Sequence, residues 1–314
     1  LLQPEDSYRV SGFSLLDRVI PPDEDEGPTT ATSGPNPSTG VVFYYQLPAK
    51  IDSTATLGLD ILDEKGNLVR HYADKEAEAV ISFPGGPSPD PVLSKVGGLN
   101  RFVWDMRYPT LPGVPTVFIE GAYEGRKAAP GTYKAVLTFN KDSKAVSFKI
   151  LADPRIKATA EEYAAQQELS AKVENAVREI HETVLRMRKV RKQIDDADDL
   201  LKDKTEWKDI VEKGKQISDK LKKWEDEIVQ NKAQSNDDII NFINKISADY
   251  IFVKGELDAN IPYVTKGQQQ QYEKLDKDWQ GLKTTINGII NTDVTGFNKM
   301  CSQKQVDKII VPVK

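Results

Sequence analysis

The sequence predicts an α+β chain of two bodies: an immunoglobulin-like (fibronectin-like) antiparallel β-sandwich followed by an antiparallel four-helix bundle. Three observations carry this. Of the 18 prolines 16 fall in residues 1–155, and of the 20 glycines 14 do. Punctuation of that density suits short strands and turns, and its loss suits long helices. The first half also holds about seven short apolar or alternating runs separated by turns. After Pro154, apolar residues recur at three- and four-residue steps over four long stretches. The expected divisions are a leading segment and linker over 1–40, the sandwich over 41–153 and the bundle over 154–314.

Residues 1–20 carry scattered apolar positions that need something to dock on. Residues 21–40 are acidic, then rich in Pro, Gly, Ser and Thr, and read as a solvated linker; the acidic part, Pro21–Thr32, shows no ordered ligand spacing. Val41–Leu47 is a short aromatic strand. Thr54–Leu62 alternates through Leu57, Leu59 and Ile61, and Asp63-Glu64-Lys65-Gly66 turns it into a partner strand, Asn67–Tyr72. Glu78–Phe83 reads as an edge strand. The run Leu99–Pro109 reads as the central strand. Phe102, Trp104 and Met106 share one face, and Val103, Asp105 and Arg107 the other. Trp104 is the expected core residue, and Asp105 and Arg107 are expected to pair or to grip a neighbouring segment. Thr110–Lys127 is a loop, Pro130–Phe139 opens into a strand, and Ala145–Leu151 closes the body.

Four helices are expected, at about Ala158–Ile194, Glu206–Gln230, Asp237–Leu257 and Gln268–Met300. Stripes such as Val173, Val177, Ile180 and Val184 in the first, and Ile217, Leu221, Trp224 and Ile228 in the second, argue for antiparallel packing. Thr159 before Glu161 and Glu162 marks an N-terminus.

A net charge of −5 argues against a nucleic-acid partner. No apolar run approaches the roughly 18–20 residues of a membrane span. A single cysteine, Cys301, allows no internal disulfide and reads as a small core residue. The chain starts without a Met or a signal peptide, which reads as a missing N-terminal portion. Asp195-Asp196-Ala197-Asp198-Asp199 fails as a calcium loop, because Ala197 occupies a ligand position and Leu200 stands where the turn needs Gly. The basic run Arg186–Lys192 reads as a solvated or internally paired face. The two histidines, His71 and His181, lack metal spacing. No phosphate loop or nucleophile motif is present. No cofactor, metal or catalytic residue is therefore expected. The loop around Phe118 and Tyr123 is the best candidate for a recognition surface, for a sugar or a protein partner, but the preferred reading is that both close an interface with the helical body or an absent domain.

Gly98–Pro109, Ala129-Pro130-Gly131-Thr132-Tyr133 and Asp153-Pro154-Arg155 together resemble the C-terminal region of bacterial BNR-repeat proteins, the VPS10 (sortilin)-like β-propeller proteins often labelled glycosyl hydrolase. Pro35–Tyr45, Ile61–Arg70 and the long helix ending in the Arg186–Arg191 run are similar too. The acidic insert Pro21–Thr32 departs from that pattern. The resemblance implies a secreted, periplasmic or outer-membrane-associated bacterial protein whose β-propeller precedes Leu1. Any hydrolase site would lie in that propeller. It makes Trp104, Asp105, Arg107, Tyr108, Asp153 and Arg155 a structural fingerprint. The expected function is a non-catalytic structural or interaction module contacting the propeller and other envelope proteins. The alternative is an accessory, glycan-binding domain of a BNR-repeat glycoside hydrolase.

Overall fold

The computed structural model describes residues 1–11, 36–75 and 83–312. The expected edge strand at 78–83, apart from Phe83, and the acidic linker at 21–32 lie outside them.

Among the described residues of the first half, seven strands form: β1 (Ser7–Arg9), β2 (Val41–Leu47), β3 (Leu57–Asp63), β4 (Leu68–Ala73), β5 (Gly98–Trp104), β6 (Gly131–Phe139) and β7 (Asp142–Ala152). They divide into a five-stranded sheet of order β1-β7-β6-β3-β4 and a two-stranded sheet β2-β5. This corrects the expected antiparallel immunoglobulin-like sandwich: the large sheet is mixed, because β1 pairs parallel to β7, with Ser7 opposite Ile150 and Arg9 opposite Ala152. The described start of the leading segment docks there, through Ser7–Arg9. Leu2 N–H also donates to Tyr44 O on β2 at 2.8 Å, so one extended segment touches both sheets.

The Trp104 strand is not the central strand either. β5 pairs with β2 alone among the described residues, with Trp104 opposite Val41, and β6 holds the middle of the large sheet. Nor does β5 run to Pro109. The alternation nevertheless places its residues correctly: Phe102, Trp104 and Met106 are all buried. The core between the sheets is aromatic. The Trp104 ring meets Tyr133 and Phe148 edge-on at 5.9 and 6.2 Å, and Phe43 meets Phe148 at 5.4 Å, geometries that aromatic quadrupoles favour.

The second half is helical: α1 (Ala160–Leu201), α2 (Lys208–Ile228), α3 (Ile246–Leu257), α4 (Lys266–Gly288) and α5 (Thr295–Gln303). α4 and α5 form one rod, joined through a π-helical stretch at Ile289–Val294, so four rods pack together. Thr159 caps α1 in a reciprocal capping box with Glu162. α1 runs to Leu201, past the acidic run expected to follow it. Those aspartates are accommodated: Asp196 pairs with Lys192 one turn back, and Asp195 accepts from the Ser218 hydroxyl on α2. α3 begins later than expected because Ser235 and Asp238 close a separate 3-10 turn at Asn236–Ile240. No helix among the described residues is long and apolar enough to cross a membrane.

The boundary near Asp153 divides the secondary structure but not the cores. Leu111, Val114, Val117, Ile119 and Tyr123, all from the loop after β5, belong to the helical core. The β-body therefore lends a loop to the helices.

Candidate functional site

The candidate residues gather where that loop leaves β5. Asp105 Oδ1 accepts the Arg107 N–H at 3.0 Å, and Met106 takes a left-handed φ of 62°. The strand ends in this turn, which brings Arg107 O to the Trp104 indole N–H at 3.0 Å. Arg107 forms an isolated bridge with Lys127. Its guanidinium then leaves the β-body: Nη1 donates to Gly125 O at 2.7 Å and pairs with Asp258, just past α3, at 2.7 Å.

Tyr108 continues the joint. The Arg126 guanidinium lies 3.6 Å from its ring centroid, pairs with Glu174 of α1 and donates to Gln167 Oε1 at 3.1 Å. Glu174 is only 2% exposed, so its charge needs this partner. Downstream, Pro109, Pro112 and Pro115 present carbonyls at intervals of three, and α1 supplies a donor to each. Arg178 donates to Pro109 O at 2.6 Å, His181 to Pro112 O at 2.5 Å and Arg188 to Pro115 O at 2.7 Å. Loop carbonyls removed from water need such partners, because no ladder satisfies them. A carbonyl only accepts, so His181 Nδ1 carries the proton and Nε2 accepts from the Ser247 hydroxyl at 2.5 Å. Burial pushes the His181 pKa down to about 4, which keeps the ring neutral. Lys254, buried on α3, donates to Ala122 O at 3.2 Å, and its burial lowers its pKa.

Beside this joint lies a crevice of about 230 Å³, walled by Arg70, Asp90, Asp105, Arg107, Tyr108 and Tyr123 among others. Arg70 is 4% exposed; Nη1 donates to Tyr108 O at 2.6 Å and Nη2 pairs with Asp90 at 2.6 Å. The Thr110 hydroxyl donates to the same Asp90 oxygen at 2.6 Å. The crevice offers donors and acceptors together, in a volume below the roughly 300–1,000 Å³ of drug-sized pockets.

Four of the expected residues, Asp105, Arg107, Tyr108 and Tyr123, thus meet in one place. Tyr123 is not the exposed aromatic that a recognition surface calls for. It is 3% exposed, with its ring 6.2 Å from His181 in the helical core. Phe118 stands apart from the crevice, half-buried against Gly85, whose φ of 70° and missing side chain leave room for the ring. Asp153 and Arg155 lie elsewhere again, on the rim of a larger open groove of about 1060 Å³ beside β1 and β2. Arg155 grips Asp153 at 2.9 and 2.7 Å and holds that carboxyl well below the usual range, while Asn260 donates to Asp153 Oδ2 at 3.2 Å.

Sequence reasoning missed Arg70, Arg126, Glu174 and Asp258. One signal pointed to part of this joint: Glu174 and His181 lie seven apart beside the apolar stripe of α1, where a polar residue facing a core needs a partner. The basic run behaves as a paired face, with Arg188 and Arg191 sharing Glu225 at 2.7 and 3.1 Å. No family model, curated protein or solved structure matches the chain, so the resemblance to the BNR-repeat and VPS10-like proteins rests on the quoted motifs.

Proposed function

We propose that this chain is a non-catalytic structural and interaction module of a secreted or cell-envelope bacterial protein, working beside a β-propeller. The observation that carries the reading is how the charged groups at the joint are used. Arg107 with Asp258, Arg126 with Glu174, and Arg178 and Arg188 with proline carbonyls all bind one body to the other. Side chains committed in this way stiffen a two-body support; they are not left free to transfer protons or attack a substrate. The test has two arms. The chain should bind a separately expressed propeller from the same protein in titration calorimetry, and it should leave a panel of aryl glycosides intact. Turnover of any glycoside, or no heat of binding, overturns the proposal.

A second reading, an accessory glycan-binding domain of a BNR-repeat glycoside hydrolase, is favoured by one feature: the polar crevice beside β5, with Asp105, Glu124 and Thr110 on its wall.

A further inference from the structure

The last turn of α1 places a carboxyl group where three helices meet. Asp198 presses on Gly214 of α2, and its buried Oδ1 has no hydrogen-bond partner among the described residues. Its charge also reaches Cys301 of α5, a fully buried thiol whose pKa is raised first by burial and then by Asp198. The other groups acting on this carboxyl are Asp195 and Asp199 of α1, which oppose its ionisation, and Lys215 of α2, which favours it. The negative end of the α1 dipole adds to the opposition. Two further α2 lysines, Lys213 and Lys220, are engaged by Asp293. Once ionised, Asp198 is a buried charge without a pairing cation, and contact with water relieves it.

Of the three helices, α5 is the one held most lightly. It is nine residues long and buries only Phe297 and Cys301, whereas α1 and α2 bury long stripes. The π-helical stretch Ile289–Val294 leads directly into it. Ile289 and Val294 are both buried although five residues apart, a step that the wider π turn accommodates. Asp293 pins that stretch to α2, with Lys220 at 2.7 Å and Lys213 at 3.2 Å. The pivot is therefore fixed, and the segment beyond it has few ties. Lys304 pairs with Asp209 at 2.6 Å. Asn298 holds the Ile309 N–H at 2.7 Å, and the neighbouring Ile310 N–H donates to Gln193 of α1 at 2.9 Å. Short, thinly buried elements open locally at the lowest cost.

We propose that α5 is a pH-gated flap: ionisation of Asp198 swings Thr295–Gln303 outward about the π-helical pivot and exposes the face that carries Cys301. The closed flap belongs to the neutral carboxyl. Opening returns Asp198 to water and to its ordinary pKa of 3.8, against about 6 when closed. The open fraction therefore rises with pH and levels off above about pH 6.5. Those two values make opening about tenfold more frequent at pH 7.5 than at pH 5.

The intact chain carries its own probe, since Cys301 is its single cysteine. Its labelling rate with a disulfide reagent, divided at each pH by that of N-acetylcysteine, removes the reagent's own dependence on thiolate. The ratio is expected to rise about tenfold from pH 5 to pH 7.5, and to stay low and flat in Asp198→Asn. Hydrogen exchange read by mass spectrometry, corrected for the intrinsic pH effect, should lose protection over 295–303 while β6 keeps its own. A flat ratio in the unaltered chain, the same rise in Asp198→Asn, or an equal loss of protection in β6 overturns the flap.

Discussion

Arg107 and Asp258 meet at 2.7 Å, one on the turn that ends β5 and the other at the C-terminal end of α3. They lie 151 positions apart in the chain and belong to different bodies. Their side chains are 19% and 16% exposed, sheltered enough for the pair to contribute more than a surface ion pair. A double-mutant cycle with Arg107→Ala and Asp258→Ala should give a coupling energy of about 1–3 kcal/mol in denaturant unfolding. A coupling below about 0.5 kcal/mol would make the pair incidental.

Trp104 anchors the other side of the same turn. Its ring is fully buried among Tyr133 and Phe148, and its indole N–H is satisfied by Arg107 O. Trp104→Ala should cost roughly 3–5 kcal/mol, the usual cost of emptying an aromatic core site. Urea unfolding measures it, and a loss below about 1 kcal/mol would contradict the core assignment.

His181 makes the joint sensitive to acid. Its folded pKa of about 4 lies below the ordinary 6.5, so the unfolded chain takes up more protons between those values. The stability tied to the neutral ring is complete above about pH 6.5 and is lost as pH falls toward 4. His181→Gln, whose amide can also donate and accept, should flatten that slope in melting temperatures recorded from pH 4 to 7. An unchanged slope would mean that another group carries it.

Asp198 acts with the opposite sign at the far end of α1. It is 7% exposed, its Oδ1 has no hydrogen-bond partner among the described residues, and it presses on Gly214 of α2, where a side chain would collide with the carboxylate. Burial, with Asp195 nearby, raises its pKa to about 6. The favourable state is the protonated one: its contribution is complete below the unfolded value of 3.8 and disappears as pH rises through 6. Asp198→Asn should therefore stabilise the protein by about 1–3 kcal/mol at pH 7.5 and by almost nothing at or below pH 4. Destabilisation at pH 7.5 would show that the carboxylate has a partner in solution.

Much of the architecture was legible where a local pattern decides it. The two-residue alternation through Phe102, Trp104 and Met106 identified the buried face of β5 even though the strand stops before Met106. The Thr159 cap and the apolar stripes located the helices. Pairing was not legible, because it joins distant segments. Three residues at Ser7–Arg9 carry no alternation to read, yet they set the parallel edge by meeting Ile150–Ala152. The end of α1 was missed because a run of aspartates looks like a solvated turn until Lys192, Ser218 and the packing of Asp198 are seen around it. At the joint, Asp105 and Arg107 stood out by their spacing. The partners of the Arg107 guanidinium, Gly125 O and Asp258, carry no sequence signal, since any backbone carbonyl or any aspartate could have served. Tyr123 looked exposed because a Gly- and Pro-rich loop usually is; here its apolar residues complete a helical core instead.

The central claim is that the loop after β5 binds the β-body and the helical body into one unit. Differential scanning calorimetry of the intact chain tests it most directly, alongside a variant carrying Arg107→Ala, Arg126→Ala and Arg178→Ala. The claim predicts one cooperative transition for the unaltered chain and two separated transitions for the variant. Two transitions already present in the unaltered chain, or a single one persisting in the variant, would contradict it.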